Sequence, residues 1–329
     1  MCIRDRYAPL HLFAARELAA GRLPAWNPYI NAGQPGLADI QTGFYYPINL
    51  VPSLVLALLG LPFTLGLLTA QVILHFSLAS LFTYLFVRHL ARRVGARLAA
   101  ARFAGAVGAL AFAYGGYLTS FPVQQLTILQ TAVWLPLILF FLDRAVGRPR
   151  ALSQVILAGL AWACTLLAGH PQTAMYVTYT ALAYGLFLIW KRRDAEGGIR
   201  YWAVGIGYWV LLPLLIGVAL AAVQLGPTLG FIARSTRAGL DFEAVAWGFP
   251  LVEMTHLLYP GYFGGSPQYV GILTLILATA ALFVKRARRE VLFWLVVGLL
   301  ALLLAFGRHT FFYSVTYLLA PGFAVVRNQ

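Results

Sequence analysis

Arg88-His89-Leu90-Ala91-Arg92-Arg93-Val94-Gly95-Ala96-Arg97-Leu98-Ala99-Ala100-Ala101-Arg102 gathers five arginines between two apolar stretches, at approximately 63 to 87 and 98 to 117. A bilayer span needs about 20 mostly apolar residues, and both stretches meet that length. The same device recurs at Arg144, Arg148 and Arg150, at Lys191, Arg192, Arg193 and Arg200, and at Lys285, Arg286, Arg288 and Arg289. These clusters hold sixteen of the 24 basic residues, and two apolar stretches separate each from the next. Basic residues in short loops stay cytoplasmic. The spacing therefore predicts an all-α, polytopic transmembrane helix bundle and orients it in the same step.

Composition agrees. Hydrophobic residues make up 61% of the chain and charged residues 10%, against about 25% charged in soluble domains; the mean hydropathy is +0.78. The net charge of +14 does not signal nucleic acid, because it is divided among helix ends instead of forming one basic face. Cys164 lies in an apolar run and Cys2 at the terminus, so neither a disulfide nor a metal cage is expected.

Eight segments read as spans: approximately 63 to 87, 98 to 117, 124 to 142, 151 to 169, 172 to 190, 202 to 225, 268 to 284 and 291 to 307. Starting outside, they alternate so that every basic cluster falls inside. A ninth apolar stretch, residues 48 to 59, is too short and carries Pro52, which suits an interfacial or re-entrant helix. Residues 7 to 329 are thus expected to form a single membrane domain, with a first extracytoplasmic loop at 7 to 62, a second at 226 to 267 and a tail from 308. Residues 10 to 20 read as a short amphipathic helix on the membrane surface. The outer side carries four of six histidines and six of ten carboxylates, so any chemistry is expected there. Residues 1 to 6 resemble translated adapter sequence and are set aside, and the chain is read as a fragment cut at both ends.

The most distinctive string is Gly21-Arg22-Leu23-Pro24-Ala25-Trp26-Asn27-Pro28-Tyr29. It continues through Ala32-Gly33-Gln34-Pro35-Gly36-Leu37-Ala38-Asp39-Ile40-Gln41 to Phe44-Tyr45-Tyr46-Pro47. This resembles the first extracytoplasmic loop of the bacterial YfhO-type membrane proteins. Ala168-Gly169-His170-Pro171-Gln172 leading to Tyr176, Tyr259-Pro260-Gly261-Tyr262-Phe263-Gly264 before Tyr269-Val270-Gly271, and Val326-Arg327 extend the likeness. That family is similar to the C-type glycosyltransferases, which pass a sugar from a polyprenyl-phosphate carrier to an acceptor on the outer side. The resemblance implies a bacterial inner-membrane enzyme whose partners are membrane lipids, a polyprenyl-phosphate sugar donor and a cell-envelope acceptor. In such enzymes an acidic residue after the first span acts as base or metal ligand. Here that position falls upstream of Tyr7, so the fragment is expected to transfer no sugar.

Activating an acceptor hydroxyl calls for a carboxylate or imidazole, and a phosphate leaving group calls for Arg, Lys, His or a divalent metal ion. Asp39, His170 and Glu253 are the candidate catalytic groups, and Arg234 and Arg237, three residues apart, the candidate phosphate clamp. Trp26, Asn27, Gln34, Gln41, Tyr46 and Gln172 are carried over as candidate substrate-binding residues. Each has a plainer alternative: loop capping for Asp39, a structural turn for His170, a helix cap for Glu253, lipid headgroups for the arginines. Asp241 and Glu243 read as solvated. Gln71 and His75, four apart on one helical face, read first as an interhelical hydrogen bond and second as a groove lining. Trp26, Tyr29, Phe44, Tyr45, Tyr46, Trp247 and Tyr262 either stack on a sugar or anchor at the interface.

Two other function classes stand beside the transferase. A transporter or flippase predicts paired ionisable residues near the bilayer midplane, and no Asp, Glu, Lys or Arg lies deep in a predicted span. A non-catalytic envelope-assembly protein fits the same topology.

Overall fold

The computed structural model describes residues 3–120, 125–148, 150–196, 198–235, 241–259 and 268–324. The chain opens with α1 (Ile3–Ala19), a two-residue-strand hairpin of β1 (Trp26–Asn27) and β2 (Gln34–Pro35), and α2 (Pro47–Leu58). There follow α3 (Leu65–Arg93), α4 (Leu98–Ala113), α5 (Gly116–Ser120), α6 (Leu126–Ala132), α7 (Leu135–Ala145), α8 (Leu152–Leu167) and α9 (Pro171–Glu196). The remaining helices are α10 (Gly198–Gly205), α11 (Leu212–Ala233), α12 (Phe242–Val245), α13 (Ile272–Ala281), α14 (Arg288–Ala305) and α15 (Phe311–Leu319).

Five helical segments are long and apolar enough to cross a bilayer: Leu65–Arg93, Leu98–Ser120, Leu126–Ala145, Pro171–Arg192 and Tyr201–Ala233. Large apolar side chains stand exposed along them, among them Ile73, Leu74 and Leu81 on α3 and Leu215, Val218 and Leu220 on α11. In water so much apolar surface would drive association; in lipid it is the ordinary outward face. The chain is a polytopic membrane protein with an all-helical bundle. The other three expected spans form shorter or more polar helices. α8 has 16 residues, α13 has 10, and the 18 of α14 open on Arg288, Arg289 and Glu290. At 1.5 Å per residue α13 is about 15 Å long, half the hydrocarbon thickness, bounded by Gly271 at φ +89 before it and by Leu282 after it.

The chain divides into two compact units, residues 1–86 with 121–231, and residues 87–120 with 232–329. In the first, α6 and α7 form the centre, the most enclosed of the spanning segments, with α7 packed along α8 and α9. Its basic end is closed by a part-buried pair. Asp143, in the last turn of α7, is 2% exposed; it accepts from the Tyr184 hydroxyl at 2.5 Å and faces the Arg192 guanidinium at 3.8 Å. Arg192 also donates to the Asp143 and Val146 carbonyls, supplying partners that the end of a helix otherwise lacks. Between α10 and α11 the helix widens to a π-helix over Ile206–Leu211. Pro213 lies two residues on, without an N–H and with a ring that crowds the carbonyl of Trp209, and the wider turn relieves both.

The second unit holds the end of α3, then α4, α5 and α12 to α15. Glu290 is 4% exposed and meets Arg93 at 2.9 Å. The Gly116 N–H donates to the Tyr269 carbonyl at 2.8 Å. Residues 245 to 249 lie against the end of α14 and the start of α15, through Phe249 N–H to the Ala305 carbonyl and the Tyr313 hydroxyl to the Val245 carbonyl.

Candidate functional site

In the first unit the loop between α1 and α2 is fastened over the helix ends remote from Arg144 and Arg192. Four of the fastenings are side chains from the bundle reaching main chain or amide of residues 37 to 49, in the loop and the first turn of α2. From α11, Gln224 Nε2 donates to the Leu37 carbonyl at 2.8 Å and the Thr228 hydroxyl to the Ala38 carbonyl at 2.9 Å. From α3, Gln71 Nε2 donates to the Ile48 carbonyl at 3.0 Å, and from α6, Gln130 Nε2 donates to Asn49 Oδ1 at 3.0 Å. Asn49 passes the link on, donating to the Gly43 carbonyl at 3.0 Å. Tyr7 is 2% exposed with its hydroxyl 3.3 Å from that of Thr127. The loop sits close enough that a Cβ on Gly169, at φ +98, would lie 2.6 Å from the Ile40 carbonyl oxygen. Only glycine accepts both that contact and that backbone angle.

Tyr46 holds the loop's far end. It is fully buried, with its hydroxyl 2.8 Å from His75 Nε2 and 3.0 Å from Trp134 Nε1. His75 Nδ1 lies 2.6 Å from the Gln71 carbonyl oxygen. A carbonyl only accepts and an indole only donates, so for a neutral imidazole the network assigns every proton. Nδ1 carries the imidazole hydrogen, Nε2 accepts from Tyr46, and Tyr46 accepts from Trp134. Gln71 and His75 therefore do share a face, and Gln71 makes the interhelical hydrogen bond read first from the sequence, to Ile48 in the first turn of α2, while His75 bonds Tyr46 just ahead of that helix. Tyr46, expected at a substrate, has both hydrogen-bonding directions used inside the protein.

The other candidates divide by burial. Asp39 caps the Ile40–Thr42 turn, accepting the Gln41 N–H at 3.0 Å, with Gln34 Nε2 at 3.5 Å from its second oxygen. That is the loop-capping alternative drawn from its position. His170 precedes Pro171 and is the first cap of α9. Its Nδ1 accepts the Thr173 N–H at 3.2 Å and lies 2.8 Å from the Thr173 hydroxyl, which satisfies a helix-end donor. Burial pushes its pKa down to about 4, with the nearby Arg6 charge acting in the same direction, so the imidazole is neutral at pH 7. Gln172 is buried and donates to the Tyr176 hydroxyl at 3.4 Å. Gln41 accepts from Arg6, which the sequence reading sets aside and which the structure places in the first turns of α1. Asn27 is 3% exposed and takes the Tyr29 N–H on its Oδ1 at 3.0 Å. Trp26, its neighbour on β1, points the other way and is 57% exposed, with its ring over Gly33.

Glu253 and Arg234 belong to the second unit. Glu253 lies in the first turn of the Leu251–Leu257 3-10 helix and accepts from Gln268 Nε2 at 3.2 Å; Arg234 follows the end of α11 and is exposed. Asp241 caps α12, accepting the Ala244 N–H at 2.9 Å. Arg237, Tyr262, the Pro260 to Gly264 part of the second motif and Val326-Arg327 lie outside the described residues.

Sequence reading passes over three contributors. Gln130, Gln224 and Thr228 lie inside apolar runs, and an amide in hydrocarbon is a signal that a partner exists; which partner it is depends on the packing. His11 is the other omission. It is 5% exposed on α1, stacked on Phe63 at 5.7 Å with planes 5° apart. Among the described residues no three His, Cys, Asp or Glu side chains gather where a metal ion would be held, and no step below is routed through one. Comparison with family models, with curated proteins and with solved structures finds no match.

Proposed function

We propose that the chain belongs to a membrane-embedded glycosyltransferase of the YfhO type, whose polyprenyl-phosphate sugar donor and cell-envelope acceptor meet the first unit at its end remote from Arg144 and Arg192. The observation that carries the reading is the fastened loop. Four side chains from three helices fix main-chain and amide groups of residues 37 to 49, a preorganised surface of the sort that catalysis by positioning requires. The resemblance of the same loop to the family's motif supports the reading, and so does the exposure of Trp26 and Tyr29 beside it. Asp39 and His170 are bound into caps, so within the described residues they act by holding the loop and α9. Glu253 keeps its candidacy as acid or base, and Arg234 as phosphate partner.

The test is photo-crosslinking of a diazirine-bearing polyprenyl-phosphate hexose to the protein in lipid nanodiscs. Adducts are expected in peptides covering residues 20–50 or 168–176, displaced by unlabelled donor. Adducts confined to peptides around the basic clusters, or none that the unlabelled donor displaces, would reject the transferase.

A further inference from the structure

Two turns far apart in sequence meet in the second unit. The turn from α3 to α4 brings Arg92 and Arg97, and the turn from α13 to α14 brings Lys285, Arg286 and Arg288, all five exposed. Their meeting is fixed at two points. Arg93 pairs with Glu290 at 2.9 Å, and the Arg286 guanidinium lies so close over the main chain of Gly95 that a Cβ there would strike it. Glu290 is the single carboxylate in residues 87–120 and 268–324, and Arg93 already holds it. The helix ends add to the same field. α4 starts directly after Arg97 and α14 starts on Arg288, neither with a side-chain cap among the described residues. The start of a helix carries about half a positive charge, so a cation there is unfavourable unless an anion lies beside it. The tendency of cations to collect on one side of the membrane explains each turn by itself, but requires no convergence of residues 197 apart.

We infer that the two turns form a docking surface for the phosphate headgroup of an anionic phospholipid, drawn from the leaflet that meets this end of the second unit. Depth and rim select a lipid over a soluble anion. α3 and α4 are long and apolar enough to cross the bilayer, which puts Arg92 and Arg97, at their facing ends, near headgroup level. Apolar side chains stand exposed immediately beside the cations: Leu98 and Phe103 on α4, and Phe283 two residues before Lys285. A free phosphate or a nucleic-acid strand matches the cations only. A phospholipid matches the cations with its headgroup and the apolar rim with its chains, as basic pockets between membrane helices do for lipid headgroups. Arginine suits the task, because its planar fork meets two phosphate oxygens at once. The surface lies wholly in the second unit, and what the first loop binds has no bearing on it.

The test is native mass spectrometry of the full chain released from micelles doped with equal amounts of phosphatidylglycerol and phosphatidylcholine. The wild type is expected to retain phosphatidylglycerol at least about tenfold over phosphatidylcholine, and Arg97→Gln and Arg286→Gln each to cut that preference about fivefold, the worth of one cation at a lipid surface. Arg286→Lys, which keeps the charge, should lose less than Arg286→Gln. The double variant Arg148→Gln with Arg150→Gln removes two exposed cations from the first unit and should leave the preference unchanged. If a second-unit variant fails to fold, the wild-type preference and its competition decide. Inorganic phosphate and a single-stranded oligonucleotide serve as competitors, each against sodium chloride at matched ionic strength. Displacement of phosphatidylglycerol no greater than that by chloride supports a lipid surface; greater displacement by either competitor would assign the surface to that anion and overturn the proposal. No preference for phosphatidylglycerol, or an equal loss in the Arg148 and Arg150 variant, would overturn it as well.

Discussion

Replacing Tyr46 by Phe removes one oxygen atom and tests how the first loop is held. The ring stays, with its packing against Trp134, Leu167, Ala168 and Ala221, so the loss is confined to two hydrogen bonds. Each neutral bond is worth about 1 kcal/mol net, and a buried group left unmatched costs about 1–3 kcal/mol. The two partners differ. Trp134 is only part-buried, and its indole N–H recovers some solvation. His75 is 0% exposed, and its Nε2 is left with nothing to accept from. Hydrogen bonds within membrane bundles average nearer 0.6 kcal/mol, because the unfolded chain in the membrane finds other partners. Together these place the loss at about 2 kcal/mol, most of it at His75. The assay is reversible unfolding in mixed micelles by SDS titration, run on Tyr46→Phe, His75→Leu and the double variant. The double variant should cost about 1 kcal/mol less than the sum of the singles, as coupled partners do. A Tyr46→Phe variant within about 0.5 kcal/mol of wild type, or strict additivity, would show that Tyr46 does not fasten the loop.

Three further outcomes are expected. The His170 pKa in the folded protein, about 4, lies below its ordinary 6.5, so the stability it confers is whole above pH 6.5 and drains as the pH falls toward 4, by about 3 kcal/mol at most. In His170→Asn, whose amide oxygen still caps α9, the loss over that window should shrink by the His170 share, and an unchanged pH profile would refute the assignment. Asp143→Asn should lower stability in the SDS assay by about 2 kcal/mol, less than the about 3–5 kcal/mol of a fully buried pair because the Arg192 side chain is 32% exposed; a neutral or stabilising effect would show that the pair does not hold the end of α7. In a variant freed of Cys2 and Cys164, membrane-impermeant maleimide on intact cells should label Tyr29→Cys and spare Arg150→Cys, both exposed positions; the reverse would invert the topology.

Membrane class and the helical character of the apolar stretches are legible in the sequence because they follow from local quantities. Twenty apolar residues between basic clusters need no partner to declare themselves, and Pro47 or Pro171 at the first turn of a helix marks its start from two residues alone. The capping of Asp39 is equally local, since its partner is two residues away. What the sequence leaves open is which distant groups meet. Gln224 and the Leu37 carbonyl are 187 residues apart, and Tyr46 and Trp134 are 88; no periodicity relates them, and only the packing of α3, α6, α8 and α11 brings them within 3 Å. The same holds for His11. In sequence it is one histidine on an amphipathic helix; folded, it is buried against Phe63 and lines a narrow cleft with residues of the hairpin and α2. Hydrophobicity along a chain decides which segments enter the membrane, but a buried polar group acquires its meaning from the group opposite, and that choice belongs to the tertiary structure.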